Sequence, residues 1–207
     1  MAIEDEVLLD KAVSGDSKAL GALLEKVGPA IEDRLKREIP AKYQSVLDAT
    51  EVVQVTYLEA VLGIRRFKPK GVGGFVRWLE RIAENNLKDA IRSLKTEIHS
   101  RSKNPISFSR GDDSYVPLME LLTGTGTTPS GPTKKNEAKE RLETAITRLP
   151  TDYESVVRML DLEGRPVEEV AKSLGRSKGA VHMLRARAYD HLKELLGATS
   201  LYFTDSP

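Results

Sequence analysis

The chain has no cysteine, few aromatic residues, no long apolar run and almost no net charge, and each absence excludes a class of protein. Without cysteine there are no disulfides and no thiolate zinc sites, and His99, His182 and His191 are too few and too scattered to build a metal cage. No bound metal is therefore expected. With only 5% aromatics, the sequence rests on Leu, Val, Ala, Glu, Lys and Arg, the composition of a helical protein. No stretch approaches the roughly 20 apolar residues of a membrane span. The acidic opening, Glu4, Asp5 and Glu6, lacks the basic-then-apolar order of a signal peptide, so the expected location is cytoplasmic. There is no P-loop, no GxGxxG, no HExxH and no Ser, His and acid grouping at recognisable spacing, so neither an enzyme nor a cofactor is expected.

The net charge of +1 conceals opposed blocks. Residues 1–63 hold 7 basic against 12 acidic residues, whereas 64–103 hold 11 against 4. The reversal repeats: 138–169 hold 5 basic against 8 acidic, and 170–196 hold 6 against 2. Basic stretches attract phosphate backbones, although long helices also carry solvated charge.

At 207 residues the chain has room for two small domains. Apolar spacing of three and four predicts a short helix over 4–14 and a long one from Asp16, carrying Leu20, Leu23, Leu24, Val27, Ile31 and Leu35, with a kink or break at Gly28-Pro29. A third helix starts near 48–50 and ends before 67–74, whose proline and glycines demand a loop. The fourth carries an apolar stripe from Phe75 to Leu94, with Arg77, Arg81, Lys88, Arg92 and Lys95 supplying charge. Periodicity fails over 100–136, where Ser, Gly, Thr and Pro mark a flexible linker containing an apolar island at 116–122 that could dock on a domain or a partner. It resumes at 137. The expected architecture is all-α: a domain over 1–99, the linker 100–136, a second domain over 137–197, and a tail, 198–207, expected to fray.

Within the second domain, Pro166 opens a helix with Val167, Val170, Ala171 and Leu174 inward, and Gly175 closes it. Arg176 alone separates that glycine from Ser177, an N-cap for a second helix running through Val181, Leu184, Ala188 and Leu192. Residues 165–196 thus read as a helix-turn-helix, whose second helix enters the DNA major groove by its N-terminal turn. The residues placed there are Arg176, Ser177, Lys178, Gly179, His182, Arg185 and Arg187, with arginine and lysine suited to guanine edges and phosphates and Gly179 to close backbone approach to DNA. A plain helical hairpin with a solvated basic face would show a similar pattern.

LPTDY (149–153), LEGRP (162–166) and LGRSKGAV (174–181) resemble the C-terminal DNA-binding domain of bacterial sigma-70 family factors. DATEVVQVTYLEA (48–60) and FVRWLERIAENNLKD (75–89) resemble the N-terminal domain of the same family, most closely its extracytoplasmic-function group. The resemblance implies a factor that binds core RNA polymerase and directs promoter recognition, promoter melting and transcription initiation. It implies that Asp48, Thr50, Val53, Gln54 and Tyr57 bind the clamp helices of the polymerase largest subunit, Gln54 being the exposed polar member. The sequence departs from the usual family pattern at Val55, normally Glu, and at Glu51, more often Asp. Residues 67–92 resemble the segment that opens the minus-ten element. A melted strand needs cations for phosphates and a surface for an extruded base, which Arg77, Arg81, Asn85, Asn86, Lys88 and Arg92 offer. Trp78 could stack on a base, but its spacing with Leu79 and Ile82 favours the core. The second domain would read the minus-thirty-five element as duplex. Promoter DNA and core polymerase are the implied partners, with an anti-sigma factor a further candidate. A repressor or activator using the same helix-turn-helix without joining polymerase is the alternative.

Overall fold

In the computed structural model, backbone is described for residues 3–68, 71–100, 115, 118, 119, 122 and 132–201, and side chains for these except 3, 97–100, 132–135 and 198–201. The flexibility expected of the linker and the fraying expected of the tail lie largely outside these residues. Every described element is helical. Contacts divide the chain into two compact units, Met1–Thr96 with Ser177–Met183, and Glu97–Arg176 with Leu184–Pro207.

In the first unit, α1 (Ile3–Val13) is followed by Gly15 at φ 103° and by Asp16, whose carboxylate accepts from the amides of Lys18 and Ala19 and so starts α2 (Ser17–Glu38). Of the kink or break expected at Gly28-Pro29, there is no break: α2 runs on as one helix through Pro29. Beside that proline, Gly28 leaves space for the Tyr57 hydroxyl, which donates to the Leu24 carbonyl at 2.9 Å. Asp48 caps α3 (Ala49–Gly63) by accepting from the Thr50 amide. Helix α1 packs on α2 and α2 on α3. Leu9, Leu23, Leu35, Val52, Phe75 and Leu79 are fully buried, each contributing about 1.5–3 kcal/mol relative to an exposed side chain.

Helix α4 begins at Gly71, so Gly73 and Gly74, expected in a loop, form its first turn. Glycine disfavours helix by about 1 kcal/mol relative to alanine. Opposing that cost, Glu6 on α1 accepts from the Val72 amide at 3.1 Å and caps α4 from a distant part of the chain. From there α4 runs to Ser100, with Phe75, Leu79, Ala83, Leu87, Ala90 and Leu94 buried along one stripe. Arg34 on α2 ties this helix down by reaching Glu80 at 3.5 Å and Glu84 as well.

In the second unit, α5 (Pro132–Ile146) and α6 (Thr151–Val157) enclose Leu142, Ile146, Tyr153, Val156 and Val157. Helix α6 then widens into a π-turn, Arg158–Leu162, in which the Glu163 amide donates to the Arg158 carbonyl five residues back. Helix α7 (Val167–Leu174) stops at Gly175, φ 61°, with the Gly175 amide donating to Lys172 and the Arg176 amide to Ala171. That paired turn is a Schellman motif, which directs the chain sharply into α8 (Lys178–Leu201). The apolar island of the linker is anchored here: Leu118 and Leu122 are buried, and the Tyr115 hydroxyl donates to Glu143 at 2.8 Å.

Candidate nucleic-acid and polymerase interface

On α4, Arg77, Arg81, Asn85, Lys88 and Arg92 are all exposed. Their spacing of three and four places them in one stripe along the helix, about 22 Å long at 1.5 Å per residue. Lys88 lies 3.9 Å from Glu84, a loose pair that leaves its amine largely solvated. A row of extended cations on one rigid helix is suited to a phosphate backbone. Asn86 lies elsewhere. It is fully buried, with its amide donating to the Thr56 hydroxyl at 3.1 Å, while that hydroxyl donates to the Val52 carbonyl at 2.8 Å. The expected placement of Asn86 with the strand-binding residues thus differs from its observed role in joining α3 to α4. At the head of α4, Trp78 is half-buried with its ring centroid 4.9 Å from Phe67 and 5.8 Å from Phe75.

The five residues expected to meet polymerase divide between surface and interior. Asp48, Thr50 and Gln54 are exposed at the start of α3. Thr50 donates its hydroxyl to Glu32 at 3.1 Å, and Glu32 is held below the usual carboxylate range mainly by its bond to Lys36. Val53 is buried, and Tyr57 is tied to α2 through its hydroxyl, with burial pushing that phenol's pKa up. Val55, at a position where the family usually carries Glu, is buried too, which accounts for an apolar residue there.

Of the helix-turn-helix residues, Ser177 caps α8 by accepting from the Ala180 amide. The segment Ser177–Met183 belongs to the first compact unit. There the Ser177 amide donates to Glu51 at 2.7 Å and the Gly179 amide to Val46 at 2.9 Å. A Cβ at position 179 would lie 2.9 Å from the Val46 carbonyl oxygen and 2.5 Å from the Leu47 side chain, so the glycine is required by close approach of protein backbone, where approach to DNA had been the expected reason. Arg176 pairs with Asp152 at 3.2 Å, and Arg187 with Asp190 at 2.9 Å. Lys178 and His182 are half-buried.

Arg185 turns inward, unlike an arginine held out for DNA. Its Nη2 donates to Asp161, its Nε lies 3.3 Å from the same carboxylate, and Tyr189 donates to Asp161 at 2.8 Å. Asp161 is completely buried. Burial pushes its carboxyl pKa up against the pull of Arg185, and pushes the Tyr189 phenol up as well. Nothing in the sequence marked Asp161.

A tight helix-turn-helix and a cation-striped helix in the same chain describe a DNA-binding transcription protein. The family model for Sigma-70 region 2 matches residues 28–97, and that for Sigma-70 region 4 matches 139–192. The chain is 26% identical to the ECF RNA polymerase sigma-E factor of Haemophilus influenzae over 89% of its own length and 92% of that protein. It is 25% identical to the RNA polymerase sigma factor CarQ of Myxococcus xanthus, over 93% and 98%. Among solved structures, CnrH in complex with the cytosolic domain of CnrY covers 98% of this chain and 99% of that one, at 22% identity and a TM-score of 0.36. The chain belongs to the sigma-70 family of RNA polymerase sigma factors, in the extracytoplasmic-function group. It is a polymerase-binding initiation factor that directs promoter recognition, and it is not an enzyme.

Proposed function

We propose a division of labour along the chain: residues 1–99 take the polymerase clamp and the melted minus-ten strand, 100–136 connect, and 137–197 read the minus-thirty-five duplex. The exposed stripe Arg77, Arg81, Asn85, Lys88 and Arg92 carries this reading, because its cations fall at intervals that can follow a strand's phosphates. Asp48, Thr50 and Gln54 form the polymerase-facing start of α3. Arg176, Lys178, His182 and Arg187 are assigned to the duplex, supported by the turn that positions α8. Neither element alone needs to bind tightly, since polymerase holds both and raises their effective concentration on one promoter. Promoter work places the chain in the cytoplasm, with an anti-sigma protein as a further candidate partner. Among the described residues, no helix is long and apolar enough to cross a membrane.

The test is reconstitution with core polymerase on a promoter template. Comigration with core and initiation at one defined start support the division, provided the charge-stripe variant Arg77→Ala/Arg81→Ala retains core binding but opens the promoter poorly. Duplex binding without any initiation would favour a free-standing repressor or activator.

A further inference from the structure

Asp161, joined to Arg185 and Tyr189, has no part in the polymerase and DNA contacts assigned above, yet among the described residues of the second unit it is the one buried charged side chain. Asp161 sits in the π-turn that ends α6, where Leu160, Asp161 and Leu162 are all buried in succession. Arg185 and Tyr189 stand one turn apart on α8, the helix whose start carries the duplex-facing residues. The Asp161 Oδ1 atom accepts from both of them, the Arg185 Nε also lies 3.0 Å from the Tyr189 hydroxyl, and the guanidinium carbon is 5.2 Å from the Tyr189 ring centroid.

One carboxylate receiving two donors from successive turns constrains more than distance. Rotating α8 about its axis would carry Arg185 and Tyr189 sideways together and strip both bonds from a carboxylate with no solvent to replace them. An apolar stripe tolerates some rotation, since Val181, Ala188 and Leu192 offer similar surface over a range of angles. A bifurcated ionic lock does not. The rotation of α8 in turn decides which side chains of its first turn meet base edges, because a helix turned by one residue's worth, about 100°, presents a different face.

We propose that Asp161 is a positioning residue for minus-thirty-five recognition: through Arg185 and Tyr189 it sets the rotation of the recognition helix, although it is itself too deeply buried to touch DNA. This rests on the duplex-reading role assigned to α8. Arg185 accordingly acts within the protein and is not a base reader.

The test uses holoenzyme assembled from core polymerase and the full chain, selecting bound fragments from a promoter library randomised across the minus-thirty-five segment. Failure of the unaltered chain to select any motif there would overturn the duplex-reading role itself. With a motif in hand, Asp161→Asn and Arg185→Met should each flatten preference at all positions together, by about tenfold in enrichment, with an unchanged salt slope. The double variant should be no worse than the worse single, and Asp161→Glu should fail to rescue because its longer arm displaces the helix. Should Asp161→Asn not fold, Tyr189→Phe, which removes one bond only, decides with an expected loss of about threefold. Loss of preference at a single base pair in Arg185→Met, with the salt slope shallower by about one, would make Arg185 a DNA contact and overturn the proposal. So would a folded Asp161→Asn or Tyr189→Phe with undiminished preference.

Discussion

Asn86 on α4 donates its side-chain amide to the hydroxyl of Thr56 on α3, 3.1 Å away, and neither residue has any exposed surface. Removing the amide takes from the buried Thr56 hydroxyl the bond it accepts, although it still donates to the Val52 carbonyl, so Asn86→Ala should cost about 1–3 kcal/mol in urea unfolding. Variant protein that remains folded should bind a non-template-strand oligonucleotide, as holoenzyme, like the unaltered chain. A loss of strand binding with full stability would return Asn86 to the surface site.

The cation stripe predicts the reverse pattern. Arg77→Ala/Arg81→Ala removes exposed charge, so unfolding should shift by less than about 0.5 kcal/mol. Holoenzyme affinity for a melted minus-ten strand should fall, and the slope of log affinity against log salt should become shallower by roughly 1.4, two single-strand phosphate contacts' worth. A slope that does not change would mean these arginines lie away from the backbone.

Gly28 tests the packing of α2 on α3. A Cβ there would lie 1.6 Å from the Tyr57 oxygen and 2.8 Å from its ring carbon Cζ. Gly28→Ala should therefore destabilise the chain despite alanine's better helix propensity, by about 1–3 kcal/mol. Adding Tyr57→Phe should recover part of that loss, since the hydroxyl clash disappears and the ring contact remains. Unfolding by urea measures both.

Acid sensitivity follows from Glu143, whose carboxyl is held below the ordinary value of 4.5 chiefly by its bond to Arg158 and further by the Tyr115 hydroxyl, against burial. A depressed pKa in the folded state contributes stability that is present above 4.5 and lost as pH falls through the folded value. Circular dichroism melts from pH 7 down to pH about 3 should therefore show the stability gap between the unaltered chain and Glu143→Gln closing below about 4.5. A gap that is constant with pH would remove Glu143 from the acid response.

Much of this was legible in the sequence, and the misses share a cause. Asp16, Asp48, Gly175 and Ser177 act through neighbours within a few residues, so local pattern identified the helix starts and the turn. Asn86 could have been placed inside, because it stands four residues from Ile82 and from Ala90 on the apolar stripe of α4. Arg185 likewise stands four from Val181 and three from Ala188. In both cases polarity was allowed to outweigh position. Glu6 and Asp161 were not legible at all. Each acts on a distant element, and Asp161 points inward from a π-turn, whose extra residue per turn breaks the spacing from which a face is read.

The docked island has a consequence for length. Tyr115, Leu118 and Leu122 fasten the connecting segment to the second unit well before α5 begins at Pro132. Unfastened, residues 101–131 could stretch at most roughly 110 Å, whereas 101–114 reach at most about 50 Å. Releasing Tyr115, Leu118 and Leu122 would thus more than double the greatest contour length available between Ser100 and the next anchored residue.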